Sequence, residues 1–194
     1  MPRRRVWILA LLVMLAVLAV ALWWQPWRTP PAAVEGEHLA SFPAVDTTGL
    51  NATQVAIVDR LREQVAAHHP GTFYAEGTEE PWCADFVSWI MNAAGHPLDN
   101  PGSGSWRIPG VATLQEYYQA NGRFRPVDAG YLPQVGDVVL YGDPSPFHQH
   151  TNIVIAADPQ AWTITTVGGA EPGGIGIHRF GLADDPGILG FGVL

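Results

Sequence analysis

The hydrophobic residues of this chain begin with one unbroken run, Val6 to Trp24, in which no side chain is charged or polar. As an α-helix these nineteen residues would span about 28 Å, which matches the hydrocarbon thickness of a bilayer. The run therefore predicts a single membrane-crossing helix near the N-terminus.

The residues around this run predict its orientation. Three arginines, Arg3 to Arg5, precede it and make residues 1–5 a cytoplasmic tail, because basic flanks remain on the cytoplasmic side of a membrane. Everything from Gln25 onward is then expected outside the cytoplasm, tethered by a signal-anchor. The alternative is a cleaved signal peptide, since Ala19-Val20-Ala21 offers a cleavage site. Both interpretations export the rest of the chain.

Prolines and a loss of hydrophobic periodicity mark residues 25–46 as a semi-extended linker. A folded domain is expected over residues 47–194. It opens with apolar residues at every third or fourth position from Asn51 to His68, which predicts an amphipathic helix. Two further helices are predicted, from just after Pro81 to Gly95 and from Val111 to Asn121, and a glycine ends each of them.

The second half of the domain consists of short runs rich in β-branched and aromatic residues, which are typical of strands. The predicted strands are Val138 to Tyr141, Thr151 to Ala156, Trp162 to Val167, Ile175 to Phe180 and Ile188 to Val193. Helices followed by antiparallel strands indicate an α+β domain.

Composition and charge narrow the classes of function. The chain has a net charge of −8 and no lysine, and after the apolar run seven arginines face all 18 acidic residues, a net of −11. So acidic a domain is a poor partner for nucleic acid, because phosphate binding requires a basic surface. The single cysteine, Cys83, cannot form an internal disulfide. In an exported chain it is either a buried core residue or a thiol kept for chemistry.

The position of Cys83 indicates chemistry. It follows Pro81 by two residues and so lies in the first turn of the second predicted helix, where free backbone N–H groups stabilise a thiolate. A thiolate nucleophile also needs an imidazole within hydrogen-bonding reach. His148 and His150 both stand at the mouth of a predicted strand, which can hold either ring rigidly.

Four stretches in this order, PWCADFVSWI, GDVVLY, HTNIVI and TVGGAE, resemble the CHAP family of cysteine- and histidine-dependent amidohydrolases and peptidases. The resemblance covers residues 81–194 and implies a papain-like fold, with the nucleophile at a helix start packed on an antiparallel sheet. It implies that Cys83 is the nucleophile, His150 the general base and acid, and Asp137 a structural residue. The implied substrate is the peptidoglycan of bacterial cell walls, cleaved at amide bonds through an acyl-enzyme and without a cofactor.

One stretch departs from the family pattern. Where the family usually supplies an acidic or amide side chain to orient the imidazole, this chain has Gly168-Gly169-Ala170. In a hairpin that turns about Pro159, the first of these residues lies opposite His150 and the third lies diagonal to it. Glu171 follows but has the wrong parity, unless a bulge at the two glycines turns it inward. Glu171, a backbone carbonyl or a water is therefore expected to orient His150.

Five residues near the nucleophile or the base are candidates for contact with substrate. Aromatic side chains that line a groove would suit a glycan or a peptide, and a group just before the nucleophile could contribute to an oxyanion hole. The five candidates are Tyr74, Glu80, Trp82, Trp106 and His148.

Two other interpretations stay open. The domain could be a catalytically weakened or inactive CHAP-like protein that acts as a cell-wall-binding or divisome scaffold, with envelope proteins as partners. His148, His150 and His178 have side chains that suit a metal, but the sequence contains no compact metal-binding motif such as H-E-x-x-H. No metal and no cofactor are therefore expected.

Overall fold

A computed structural model of the chain describes residues 36–194 and, before them, Met14 alone. Apart from Met14, the predicted membrane helix Val6 to Trp24 and the cytoplasmic tail lie outside the described residues. In the described part of the chain, no helix has the length and hydrophobicity needed to cross a bilayer. The chain separates into two compact units, Met1–Ala32 and Ala33–Leu194, and the elements of the fold belong to the second.

Four helices occupy the first half of this unit: α1 (Ala52–Ala67), α2 (Gly71–Tyr74), α3 (Cys83–Ala93) and α4 (Val111–Ala120). Helix α1 begins at Asn51 because a capping box forms there, in which the Asn51 and Gln54 side chains each accept a hydrogen bond from the other residue's backbone N–H, both at 3.0 Å. Helices α1, α3 and α4 match the three predicted helices, whereas the single turn of α2 was not predicted.

Seven strands form one antiparallel sheet in the order β1-β6-β5-β4-β3-β7-β2. Five of the strands were predicted, whereas β1 and β2 were not. In chain order the strands are β1 (Glu37–His38), β2 (Phe124–Pro126), β3 (Val138–Tyr141), β4 (His150–Asp158), β5 (Thr163–Glu171), β6 (Gly174–Gly181) and β7 (Ile188–Gly192).

Strand β1 lies in the segment expected to be a linker. Glu37 and His38 pair with Arg179 and His178 of β6, so the sheet includes residues that precede Thr47. Two residues give no visible strand pattern in a sequence, which is why the period-two signal was absent here.

The core lies between α3 and the sheet. Alternate side chains of β3 enter separate apolar clusters: Val138 and Leu140 pack with the helices, and Val139 and Tyr141 pack on the opposite face. Helix α3 contacts β4 and β5. The architecture is α+β, as predicted, with few helices on an antiparallel sheet, and is compatible with a papain-like fold. It places the start of α3 against β4 and β5.

The register of the β4–β5 hairpin differs from the prediction. Asp158 pairs with Thr163, so the loop is residues 159–162 rather than a turn centred on Pro159. A bulge between Val154 and Ala156 shifts the register once more. The pair Ile153 and Val167, the last pair of the hairpin on this side, places residue 168 beside Asn152 rather than His150, and a Cβ on Gly168 would lie 1.8 Å from Asn152 Oδ1. The predicted pairing of residue 168 with His150 was therefore wrong by two residues, although the parity was right.

Candidate active site

Cys83 is the first residue of α3 and is 6% exposed. The helix starts there because the Trp82 carbonyl accepts the first helical hydrogen bond, from the Phe86 N–H at 2.9 Å. Backbone N–H groups in a first helical turn have no partner within the helix, so they are available to an anion near the sulfur. The local fold thus places the thiol beside the free N–H groups of a helix start.

His150 is the first residue of β4, where it pairs with Tyr141 of β3. The Cys83 thiol lies close enough to the His150 ring to raise the pKa of that ring, and the Nε2 of His150 lies 3.4 Å from Glu171 Oε1. Phe147 stacks on the ring, with centroids 5.4 Å apart and planes at 16°. Nε2 is thus the ring nitrogen that faces the carboxylate.

The charge of His150 follows from these neighbours. Burial alone would lower its pKa, but hydrogen bonds and charge interactions with Cys83 and Glu171 raise the pKa to about 9. At neutral pH the ring therefore holds a proton.

Glu171 reaches the histidine because β5 is irregular at its end. The register between β5 and β6 shifts between Gly168 and Glu171, and Ala170 has a left-handed φ of 63°. This bulge turns the Glu171 side chain, which is 5% exposed, onto the face that carries His150. The parity that a regular strand would impose is thereby reversed.

The Glu171 carboxylate contacts two histidines. Its Oε2 lies 2.5 Å from Nε2 of His178 on β6, while Oε1 faces His150. Burial would raise the pKa of Glu171, but the hydrogen bonds and charges of the two rings lower it below its ordinary value. Glu171 is therefore a buried carboxylate shared between two imidazoles.

Two paired glycines leave room for this carboxylate. Gly168 of β5 faces Gly176 of β6, and a Cβ at these positions would lie 2.7 Å from Glu171 Oε1 and 1.6 Å from Glu171 Oε2. Only glycine has no atom there. We call this space, bounded by Gly168 and Gly176, the glycine slot.

Gly169 fits the helix against the bulge. A Cβ on Gly169 would lie 2.4 Å from the Trp82 ring and 2.8 Å from Phe86 Cβ. The absence of a side chain lets the N-terminus of α3 pack directly on the end of β5. That close approach brings Cys83 to the histidine.

A cavity of about 230 Å³ adjoins the histidines and opens to solvent. Its lining includes His150, Glu171 and His178, together with Phe147 and Pro172. The polar groups of the site are thus accessible from one side.

The predicted substrate contacts before the nucleophile have other partners. Tyr74 is 0% exposed, donates its hydroxyl hydrogen bond to Gln64 at 3.2 Å, and stacks on Trp82 at 5.2 Å. Tyr74 therefore lies in the core of this structure, against the ring that precedes the nucleophile. Trp82 is half-buried between Tyr74 and Gly169, where it supports the start of α3.

Glu80 belongs to an ion-pair cluster. It contacts the guanidinium of Arg107, whose Nε lies 2.7 Å from Asp85 Oδ1 in the first turn of α3. Trp106, half-buried, immediately precedes this arginine. The cluster ties the loop before α4 to the segment that carries the nucleophile.

The two histidines proposed as the base differ in position. The His148 side chain is 81% exposed and its Nδ1 lies 2.9 Å from Asp143. His150 is buried, and its pKa responds to the Cys83 thiol and to Glu171. The geometry favours His150.

Sequence reasoning missed His178 and Phe147 as neighbours of the site. His178 was considered only as a metal ligand, and its contact with Glu171 depends on the β5–β6 register, which the sequence does not display. The glycines at positions 168 and 176 were the available signal, because glycine inside a strand marks close approach of another group.

A thiol at a helix start, a histidine at a strand start and a buried carboxylate beside that histidine lie on one α+β fold. The CHAP domain family model matches residues 74–170, half of the chain, and the matched segment contains both Cys83 and His150. The chain belongs to the CHAP family, and the resemblance seen in its sequence is confirmed. CHAP domains are in general hydrolases or amidases that act on peptidoglycan. Comparisons with curated proteins and with solved structures produced no match.

Proposed function

We propose that this protein is an extracytoplasmic cysteine peptidase or amidase, anchored by Val6 to Trp24, that cleaves amide bonds of peptidoglycan. The observation that carries the proposal is the set of neighbours of His150: Cys83 at the start of α3 and the buried Glu171 carboxylate both raise the pKa of the ring, and Glu171 Oε1 lies 3.4 Å from Nε2. This order of nucleophile, imidazole and carboxylate is what acyl transfer requires.

In the first half of the reaction the Cys83 sulfur attacks the carbonyl carbon of the amide. A C–S bond forms, and the developing negative charge on oxygen lies near the N-terminus of α3, whose N–H groups can stabilise it. The C–N bond then breaks, and His150 gives its proton to the leaving amine. The product is a thioester acyl-enzyme and a free amine.

In the second half, water resolves the thioester. Neutral His150 removes a proton from water, the hydroxide oxygen bonds to the acyl carbon, and the C–S bond breaks to return the Cys83 thiolate. Glu171 accepts a hydrogen bond from Nε2 throughout, which fixes the ring orientation and stabilises the imidazolium. Glu171 thus acts as the orienting residue.

Topology supports the choice of substrate. A domain tethered to the outer face of the cytoplasmic membrane meets peptidoglycan, and the arginines before the apolar run favour that orientation. The net charge of −11 after the run is consistent with a target other than nucleic acid.

The test uses the full chain, purified in mild detergent and incubated with peptidoglycan sacculi, with soluble fragments identified by liquid chromatography and mass spectrometry. We expect fragment release by the wild type and a loss of about a thousandfold or more in Cys83→Ala and His150→Ala. Fragment masses distinguish cleavage within the stem peptide from cleavage between glycan and peptide.

His148→Ala is the discriminating variant for the base. Its ring is exposed and paired with Asp143, so we expect release within about threefold of wild type. Equal release by wild type and Cys83→Ala would overturn the hydrolase proposal. If the same proteins still sedimented with sacculi, the scaffold interpretation would replace it.

A further inference from the structure

The contact between Glu171 and His178 is not needed to describe a three-residue site. His178 lies on β6, its Nε2 is 2.5 Å from Glu171 Oε2, and its side chain is buried. The ring therefore contacts the carboxylate oxygen that does not face His150.

A buried carboxylate with two oxygens requires partners for both. Leaving one oxygen without a partner is unfavourable, and the carboxylate would rotate or move to recover a hydrogen bond. The Glu171 contact with His150 is the longer of the two, at 3.4 Å against 2.5 Å for His178. The closer partner determines where the carboxylate rests.

His178 is itself held in place. It pairs with Thr166 of β5, the Phe147 ring meets it edge-on at 5.1 Å and 83°, and His38 of β1 meets it at 5.2 Å. Because Phe147 also stacks on His150, one aromatic ring contacts both histidines. The two imidazoles and the carboxylate between them form a packed unit.

The glycine slot completes the constraint. A Cβ at Gly176 would collide with Glu171 Oε2 and lie 2.9 Å from His178 Nε2. The strand therefore leaves room for the contact between Glu171 and His178 only because residue 176 has no side chain. The carboxylate is consequently held from two sides by backbone and from one end by His178.

We propose that His178 is a positioning residue for the reaction: it holds Oε2 of Glu171 so that Oε1 remains directed at Nε2 of His150. The reactive site is then a line of four side chains, Cys83, His150, Glu171 and His178. This inference rests on the proposed hydrolase function for its kinetic consequence, but the hydrogen-bond geometry it describes exists independently of turnover.

Two substitutions separate a positioning role from simple packing. His178→Gln keeps a side-chain N–H that can donate to Oε2, whereas His178→Leu keeps bulk and removes the donor. We expect kcat on peptidoglycan to fall at least about tenfold in His178→Leu and to stay within about threefold of wild type in His178→Gln. Ile177→Val on the same strand is the packing control, and we expect its kcat to be unchanged.

A double-mutant cycle tests whether the effect passes through Glu171. In a Glu171→Gln background we expect His178→Leu to change kcat by less than about twofold, because the group it positions has been altered. An undiminished tenfold loss in that background would show that His178 acts by another route and would overturn the inference.

A spectroscopic measurement keeps the inference testable if the protein proves inactive. The Nε2–H proton of His150, labelled with ¹⁵N, should give a downfield, exchange-protected NMR signal in the full chain and in His178→Gln. We expect that signal to broaden or vanish in His178→Leu. An unchanged signal in His178→Leu would overturn the positioning role, whereas wild-type turnover equal to that of Cys83→Ala would overturn the hydrolase function alone.

Discussion

His150 lies between two groups that both favour its protonated form. Burial opposes protonation, yet contact with Cys83 and Glu171 raises its pKa to about 9, well above the ordinary value of an imidazole. The ring therefore carries the proton that the leaving amine needs across the neutral range. Burial by itself favours the neutral form of a histidine. It also excludes water, which strengthens the electrostatic interactions of the ring with the thiol and the carboxylate.

The pH profile of kcat/KM should report this raised pKa. His150 is protonated below about pH 9 and loses its proton as the pH rises through that value, so activity should fall on the alkaline side near pH 9. Glu171→Gln removes one of the interactions that raise the pKa, so its alkaline limb should move to lower pH and its maximal rate should fall by about a hundredfold or more. Fragment release measured from pH 6 to pH 10 gives both quantities.

Glu116→Gln is the matched control, because it removes an exposed carboxylate of α4 and changes the net charge by the same amount as Glu171→Gln. It should leave the profile in place. An alkaline limb at the same pH in Glu171→Gln and wild type would show that Glu171 does not influence His150.

At the scale of elements, the bulge at the end of β5 is what completes the candidate site. In a regular strand Glu171 would face away from His150, and the left-handed φ of Ala170 reverses this. The glycine slot then receives the carboxylate. One irregularity of the backbone therefore has the same importance for the site as a side chain.

Gly176→Ala should test the slot. Its Cβ would lie 1.6 Å from Glu171 Oε2, so the carboxylate must leave its place, and we expect a loss of fragment release comparable to that of Glu171→Gln. Gly102→Ala is the control, since the added Cβ meets only Asn100 Oδ1 at 3.5 Å, an ordinary contact. Full activity in Gly176→Ala would mean that the carboxylate does not occupy the slot during turnover.

The sequence could predict the parts of the site that lie within one helix or one strand. It could not predict the parts that depend on how neighbouring strands pair. Cys83 at a helix start and His150 at a strand start each follow from a local pattern. Whether Glu171 faces the histidine depends on a bulge at Ala170, a residue with no intrinsic preference for positive φ. The position of His178 depends on the register between two strands, which local periodicity does not specify.

Besides Glu171 on β5, the structure buries an acidic residue on helix α3. This residue, Asp85, affects the stability of the fold rather than the reaction. Asp85 is fully buried, and burial raises its pKa to about 6, although the positive charge of Arg107 acts in the lowering direction. A carboxyl group that is more easily protonated in the folded state than in the unfolded one contributes stability below about pH 4. That contribution is lost as the pH rises to about 6.

Asp85→Asn should therefore change how stability depends on pH. Relative to wild type, the variant should gain roughly 2–3 kcal/mol in free energy of unfolding between pH 4 and pH 7, measured by urea denaturation at each pH. Asp137, whose pKa is also raised by burial, remains in both proteins, so the difference isolates Asp85. Asp59→Asn, an exposed residue of α1 paired with Arg62, should show no such trend. Parallel curves for wild type and Asp85→Asn would contradict the prediction.

For the molecule as a whole, the division between an apolar N-terminus and an acidic domain predicts where the site works. The α+β class was predictable because helix and strand periodicities occupy separate halves of the chain. The proposed orientation across a membrane is inferred from Arg3 to Arg5, since basic residues beside an apolar run stay in the cytoplasm.

This topology predicts that a C-terminal alkaline phosphatase fusion will be active and that the chain will resist extraction by alkaline carbonate. Arg3→Glu with Arg4→Glu should reduce phosphatase activity, because reversing the flanking charge removes the orientation signal. Arg60→Glu with Arg62→Glu makes the same charge change on the surface of α1 and should leave export intact. A mature chain that begins at Leu22 and washes off the membrane would exclude the anchor but not export. The hydrolase proposal would then concern a secreted enzyme. An inactive phosphatase fusion would place the domain in the cytoplasm, where it could not reach peptidoglycan, and would contradict the proposed substrate.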